Sequence, residues 1–119
     1  MAGAYKQYLP DINVDDGAAR VMNNAKLYIK LLGKFDVRTM TDELIDAIVG
    51  GDFDAVTKKA HALKGAAANL SCEVIRSVAL QIEISGKECI SAAIFIPELE
   101  KAATALIDAI AQLTAAETA

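Results

Sequence analysis

The chain has 119 residues, with 12 basic and 16 acidic side chains and a formal charge of −4 at pH 7, a length that supports one domain and excludes two. Its 54% apolar content is enough for a core, and 23 Ala against 6 aromatic residues favour helices packed closely through small side chains over a sheet. The pI near 4.9 argues against nucleic acid as a partner, because phosphate-backbone binders gather a surplus of Lys and Arg on one face.

Pro10 and Pro97 are the only prolines, so the chain between them is free to form long helices. After a loose N-terminus with Tyr5, Tyr8 and Leu9, Asn13 is placed to cap a short helix whose first turn holds Asp15 and Asp16, and which stops near Asn23 and Asn24. Leu27, Leu31, Leu32 and Phe35 then recur at helical spacing, and after a weak region around Asp36, Met40, Leu44 and Ile48 resume a stripe that ends at Gly50 and Gly51. This stretch reads as two helices or as one with a break. Phe53, Val56, Ala60, Leu63, Ala67 and Leu70 carry the clearest periodicity, one apolar face over about five turns. A turn over residues 69–71 leads to Ile75, Val78, Ala79 and Ile82, with Gly86 as a natural C′ residue. After Pro97, Leu99, Ala103, Leu106, Ile110 and Leu113 form the last stripe, followed by a short Ala/Thr tail. Such segments bury their stripes against one another. The predicted fold is all-α, an antiparallel up-and-down four-helix bundle over about residues 24–115, with a short additional N-terminal helix within 1–23, the whole chain forming one domain.

Cys72 and Cys89 have no CxxC or Cys/His metal spacing and read as buried small apolar residues in a reduced, cytoplasmic setting. No basic segment followed by an apolar run opens the chain, and no stretch reaches the roughly 18 apolar residues of a membrane span. The expectation is a monomer away from membranes, with no metal and no cofactor.

The single histidine, His61, projects about 140° from the apolar stripe of its helix, so it is predicted to face solvent. Lys58 precedes it and Lys64 and Gly65 follow it by one turn. A mid-helix Gly costs about 1 kcal/mol relative to Ala, which suggests that something approaches the helix closely at Gly65. No Ser or Cys stands beside His61 for acyl chemistry, and Gly50-Gly51 is no nucleotide-binding loop. ATP hydrolysis and ATP-dependent kinase activity are thereby excluded. An exposed neutral imidazole beside an ammonium can accept and pass on a phosphoryl group.

The run Ala60-His61-Ala62-Leu63-Lys64-Gly65-Ala66-Ala67-Ala68-Asn69-Leu70 resembles the signature of histidine-containing phosphotransfer (HPt) domains, His-x-Leu-Lys-Gly followed by small residues and Leu. The segment from Asp15 to Phe35 and the turn Gly50-Gly51-Asp52 are similar to that family's entry into its first long helix and into its histidine helix. Ser71 departs from it, standing where the family often has Gly. The resemblance implies a four-helix bundle that takes a phosphoryl group from a receiver-domain aspartate and passes it to another in a His-Asp phosphorelay, with no kinase activity of its own. It implies receiver domains of response regulators or hybrid kinases as partners, with Mg²⁺ supplied by the receiver. It makes His61 the phosphorylated residue, Lys64 the phosphate-neutralising cation and Gly65 the point of close approach. Glu83, 22 residues after His61, falls where the family has a residue able to hold the other ring nitrogen, and Lys87 extends the basic rim.

Leu80 and Ile84 lie opposite the stripe of their own helix, on a face with Arg76, Glu83 and Lys87. They read either as a partner-docking patch or as the second buried face of a wedged helix. The competing functional reading is a non-catalytic helical adaptor that docks a partner through Leu80, Ile84 and the first short helix.

Overall fold

The computed structural model describes residues 5–118, and among these there are six α-helices and no strand. The helices are α1 (Val14–Ala19), α2 (Ala25–Leu32), α3 (Val37–Gly50), α4 (Phe53–Asn69), α5 (Glu73–Lys87) and α6 (Ile96–Thr118). Four of them start on an Asx side chain that accepts from a backbone N–H of the first turn, Asn13, Asn24, Asp36 and Asp52 for α1 to α4, which satisfies a donor the helix itself leaves unpaired. The break between α2 and α3 falls at Gly33 to Asp36, so this stretch is two helices. Gly51, at φ 71°, ends α3 in the left-handed conformation that costs glycine least.

Helices α3 to α6 form the bundle, and α4 and α5 are its most intimate pair. The stripes meet as expected: Leu44, Ile48, Val56, Ala60, Leu63, Ala67, Ile75, Val78, Ala79, Ile82, Leu99, Ala103, Leu106 and Leu113 are all buried. Arg38 joins α3 to α6 by pairing with Glu100 at 2.5 Å while holding Asp42 at 2.8 Å.

The N-terminal segment is fastened to the end of the bundle. Tyr8 sits buried in a 3-10 turn, Lys6–Tyr8, so this part is packed where the composition suggested a loose lead. Met22 and Asn23 turn the chain through left-handed φ of 60° and 59°, and Asn24 begins α2 instead of ending α1. In α2 the core takes Tyr28, Ile29 and Leu32, leaving Leu27 and Leu31 exposed. The reason is Gly17, which leaves room for the Tyr28 ring where a Cβ would overlap it, and the Tyr28 hydroxyl then donates to the Leu70 carbonyl. Two bonds at Ser71 complete the attachment: Asn13 N–H donates to its carbonyl at 3.0 Å, and its Oγ donates to Asp16 Oδ2 at 2.6 Å. Ser71 has φ 57°, a conformation that favours glycine, and these partners account for a serine there.

Three further expectations are corrected. Gly86 lies inside α5 and is buried against Thr57 of α4, where a Cβ would meet the Thr57 hydroxyl and approach its backbone N to 3.0 Å; it is a contact residue, and α5 continues to Lys87. Of the cysteines only Cys72 is buried; Cys89 is exposed beyond α5, at φ 55°. The Ala/Thr tail carries on as helix to Thr118.

Candidate functional site

α4 brings His61 to the surface because its apolar stripe turns inward at Ala60 and Leu63, on either side of it in sequence. The imidazole is 68% exposed, as its projection predicts, yet it is not free: Nδ1 lies 2.8 Å from Glu83 Oε2 on α5. One turn later, Lys64 Nζ lies 2.6 Å from the other carboxylate oxygen, Oε1. Lys87, one turn beyond Glu83 on α5, approaches Oε2 at 3.5 Å.

Glu83 is therefore the hub of the site. Its position in the face of Leu80 and Ile84 suggests a solvated charge, but it is only 2% exposed. The close α4–α5 packing, which Gly86 permits one turn along, brings His61 and Lys64 against it. Burial pushes the Glu83 carboxyl up; the hydrogen bonds from Lys64 and His61 and the charges of Lys64 and Lys87 outweigh this and leave it at about 2. An ionised carboxylate at 2.8 Å from Nδ1 can only accept a hydrogen bond from its N–H, so in the neutral ring the lone pair is on Nε2.

Around the ring, an ideal Cβ on Gly65 meets nothing within 4 Å, so the approach is open. The remaining α4 lysines are engaged elsewhere, Lys58 with Asp54 at 3.0 Å and Lys59 with Glu43 at 3.5 Å. Leu80 and Ile84 are 36% and 47% exposed, which removes the wedged-helix alternative. Among the described residues there is no group of three side chains able to hold a metal ion.

The sequence model of the Hpt domain family matches residues 34–116. The chain belongs to the Hpt domain family. HPt domains serve as phosphotransfer carriers in His-Asp phosphorelays and work with the receiver domains of response regulators or hybrid kinases, and that is the function of this chain. The fold is similar to the HPt domain of a sensor hybrid histidine kinase from Shewanella, with a TM-score of 0.69 at 15% identity, covering 91% of this chain and 94% of that one. No curated protein matches. The match to the family spans α3 to α6, and α1 and α2 lie ahead of it. No described helix of this HPt domain is long and apolar enough to cross a membrane.

The structure brings His61, Lys64, Glu83 and Lys87 of the predicted site together. What sequence reasoning missed is that Lys64 is bound to Glu83, and that Gly86 and Thr57 set the helix spacing that makes this possible. A glycine one turn from Glu83 on its own helix was the available signal for the latter.

Proposed function

We propose that His61 is the phosphoryl acceptor of this HPt domain and that Nε2 is the atom attacked. The observation that carries the reading is an imidazole that is 68% exposed with its Nδ1 held at 2.8 Å by a buried carboxylate. Glu83 acts by positioning: it fixes the ring, keeps the proton on Nδ1 and stabilises the positive charge that grows on the ring as Nε2 attacks. A receiver docks over α4 and α5, with Leu80 and Ile84 as apolar contacts and Gly65 leaving room for the approach, and presents its aspartyl phosphate with its own Mg²⁺. The Nε2 lone pair forms the N–P bond as the P–O bond to the aspartate breaks, and the reverse step delivers the group to a second receiver. The loose transition state asks the protein for position and charge, so the domain acts as a carrier without ATP-dependent kinase activity. In this reading residues 1–119 work as one unit, a monomer, in the cytoplasm; the unpaired thiols of Cys72 and Cys89 support a reducing compartment.

Incubation with a phosphorylated receiver and Mg²⁺ tests it. The wild-type chain is expected to take an acid-labile, base-stable label, and His61→Gln to take none while keeping its helical circular dichroism, since the ring makes no core contact. Label retained in His61→Gln overturns the assignment, and receiver binding without any label in the wild-type chain points to an adaptor.

A further inference from the structure

The two lysines on Glu83 are held differently. Lys64 Nζ lies 2.6 Å from Oε1 with its side chain 26% exposed, whereas Lys87 Nζ lies 3.5 Å from Oε2 and is 64% exposed. Oε2 is also the oxygen that faces His61 Nδ1, so the Lys87 ammonium shares with the ring the same atom of the carboxylate. Among the described residues, Lys64 is the one cation on Oε1.

We propose that Lys87 is the mobile cation that swings onto the phosphoryl group on His61. This rests on the assignment of His61 as acceptor. A phosphoryl group brings about two negative charges, and a lysine that swings fully onto it gives up its hold on Glu83. If Lys64 leaves, Oε1 of a buried, ionised carboxylate loses its charged partner, which is unfavourable. When Lys87 leaves, Oε2 keeps the Nδ1–H of His61, and what is given up is a long, solvent-exposed contact of little worth. Lys87 has the flexible stem and the open surroundings to make that move. The division of labour is then complete: Lys64 keeps Glu83 charged and in place, Glu83 keeps the ring, and Lys87 neutralises the transferred oxygens.

Phosphoramidate tests this without any receiver, because a small donor needs no docking surface. The Nε2 lone pair forms the N–P bond while the P–N bond of the N-protonated donor breaks, ammonia leaves with that electron pair, and the Nδ1 proton stays on Nδ1, hydrogen-bonded to Glu83. The initial rate of labelling and the decay of the phosphohistidine are followed by ³¹P NMR, and the Nδ1–H of His61 by ¹⁵N NMR of the imidazole. Lys87→Met is expected to slow labelling about tenfold and to shorten the phosphohistidine lifetime severalfold, with the Nδ1–H resonance unchanged. Lys87→Arg restores both to within about twofold of wild type, as a cation at that position should. Wild-type rates in Lys87→Met overturn the proposal, and so does loss of the Nδ1–H resonance, which would make Lys87 a support for Glu83. Failure of His61 itself reads differently: the wild-type chain takes no label, or His61→Gln still does, and both assignments then fall.

Discussion

Gly65 stands one turn beyond His61 on α4, with open space where a side chain would project. An ideal Cβ there meets nothing within 4 Å, so it is spared from a packing role, and its helix propensity is a cost of up to about 1 kcal/mol that the fold does not require. Gly65→Gln is expected to leave the thermal midpoint unchanged or slightly raised and to cut transfer from a phosphorylated receiver at least about tenfold, since a small displacement of the reacting groups is enough for that. Labelling by phosphoramidate should fall much less. A lowered midpoint with the original transfer rate would make Gly65 a packing residue. At this scale His61 and Gly65 were legible because exposure follows from helical projection alone. Glu83 was legible only as a position 22 residues on, since its burial depends on which helix covers it.

The helix pair α4–α5 converts those residues into a site. Gly86 lets Thr57 come so close that a Cβ would meet the threonine hydroxyl and stand 3.0 Å from its backbone N, and the Thr57 hydroxyl meanwhile donates to the Phe53 carbonyl at 2.8 Å. A backbone neighbour cannot swing aside as a flexible side chain can. Gly86→Ala is therefore expected to force the helices apart and cost about 1–3 kcal/mol, read as a lower denaturant midpoint, and to slow labelling of His61 because Glu83 moves with α5. An unchanged midpoint would mean that the pair has room to spare. The apolar period placed α4 and α5 nearly to the residue, but it assigned Gly86 to a helix end, because a glycine required by a neighbour and a glycine required by a turn are identical in sequence. At the opposite end of the pair the Ser71 attachment to Asn13 and Asp16 joins groups more than fifty residues apart, which local patterning has no means to pair.

Across the whole molecule, the buried carboxylate gives the fold an acid limit. Glu83 on α5 faces His61 and Lys64 of α4 and Lys87 of its own helix, and these partners hold its carboxyl down to about 2 in the folded chain, from an ordinary value of about 4.5. A depressed carboxyl contributes stability that is complete above its unfolded pKa and is lost as the pH falls from about 4.5 toward 2. Asp16, lowered by the Ser71 hydroxyl and by Arg20, acts in the same sense. Glu83→Gln should cost about 1–3 kcal/mol at neutral pH and flatten the acid limb of the stability profile; urea melts at stepped pH values check this, and an acid limb identical to wild type would show that the pair carries no linkage. The sequence by itself determined the helical class, the stripes of the four bundle helices, the outward histidine and the Lys-Gly turn beside it, because each of these is set by period and spacing within about five turns of one helix. Only the tertiary structure decided that Tyr28 and not Leu27 enters the core, that Cys89 stays outside, that Glu83 is buried and that Lys64 is bound to it. Those outcomes depend on which helix covers which face, and a single chain read in order carries no record of its neighbours in space.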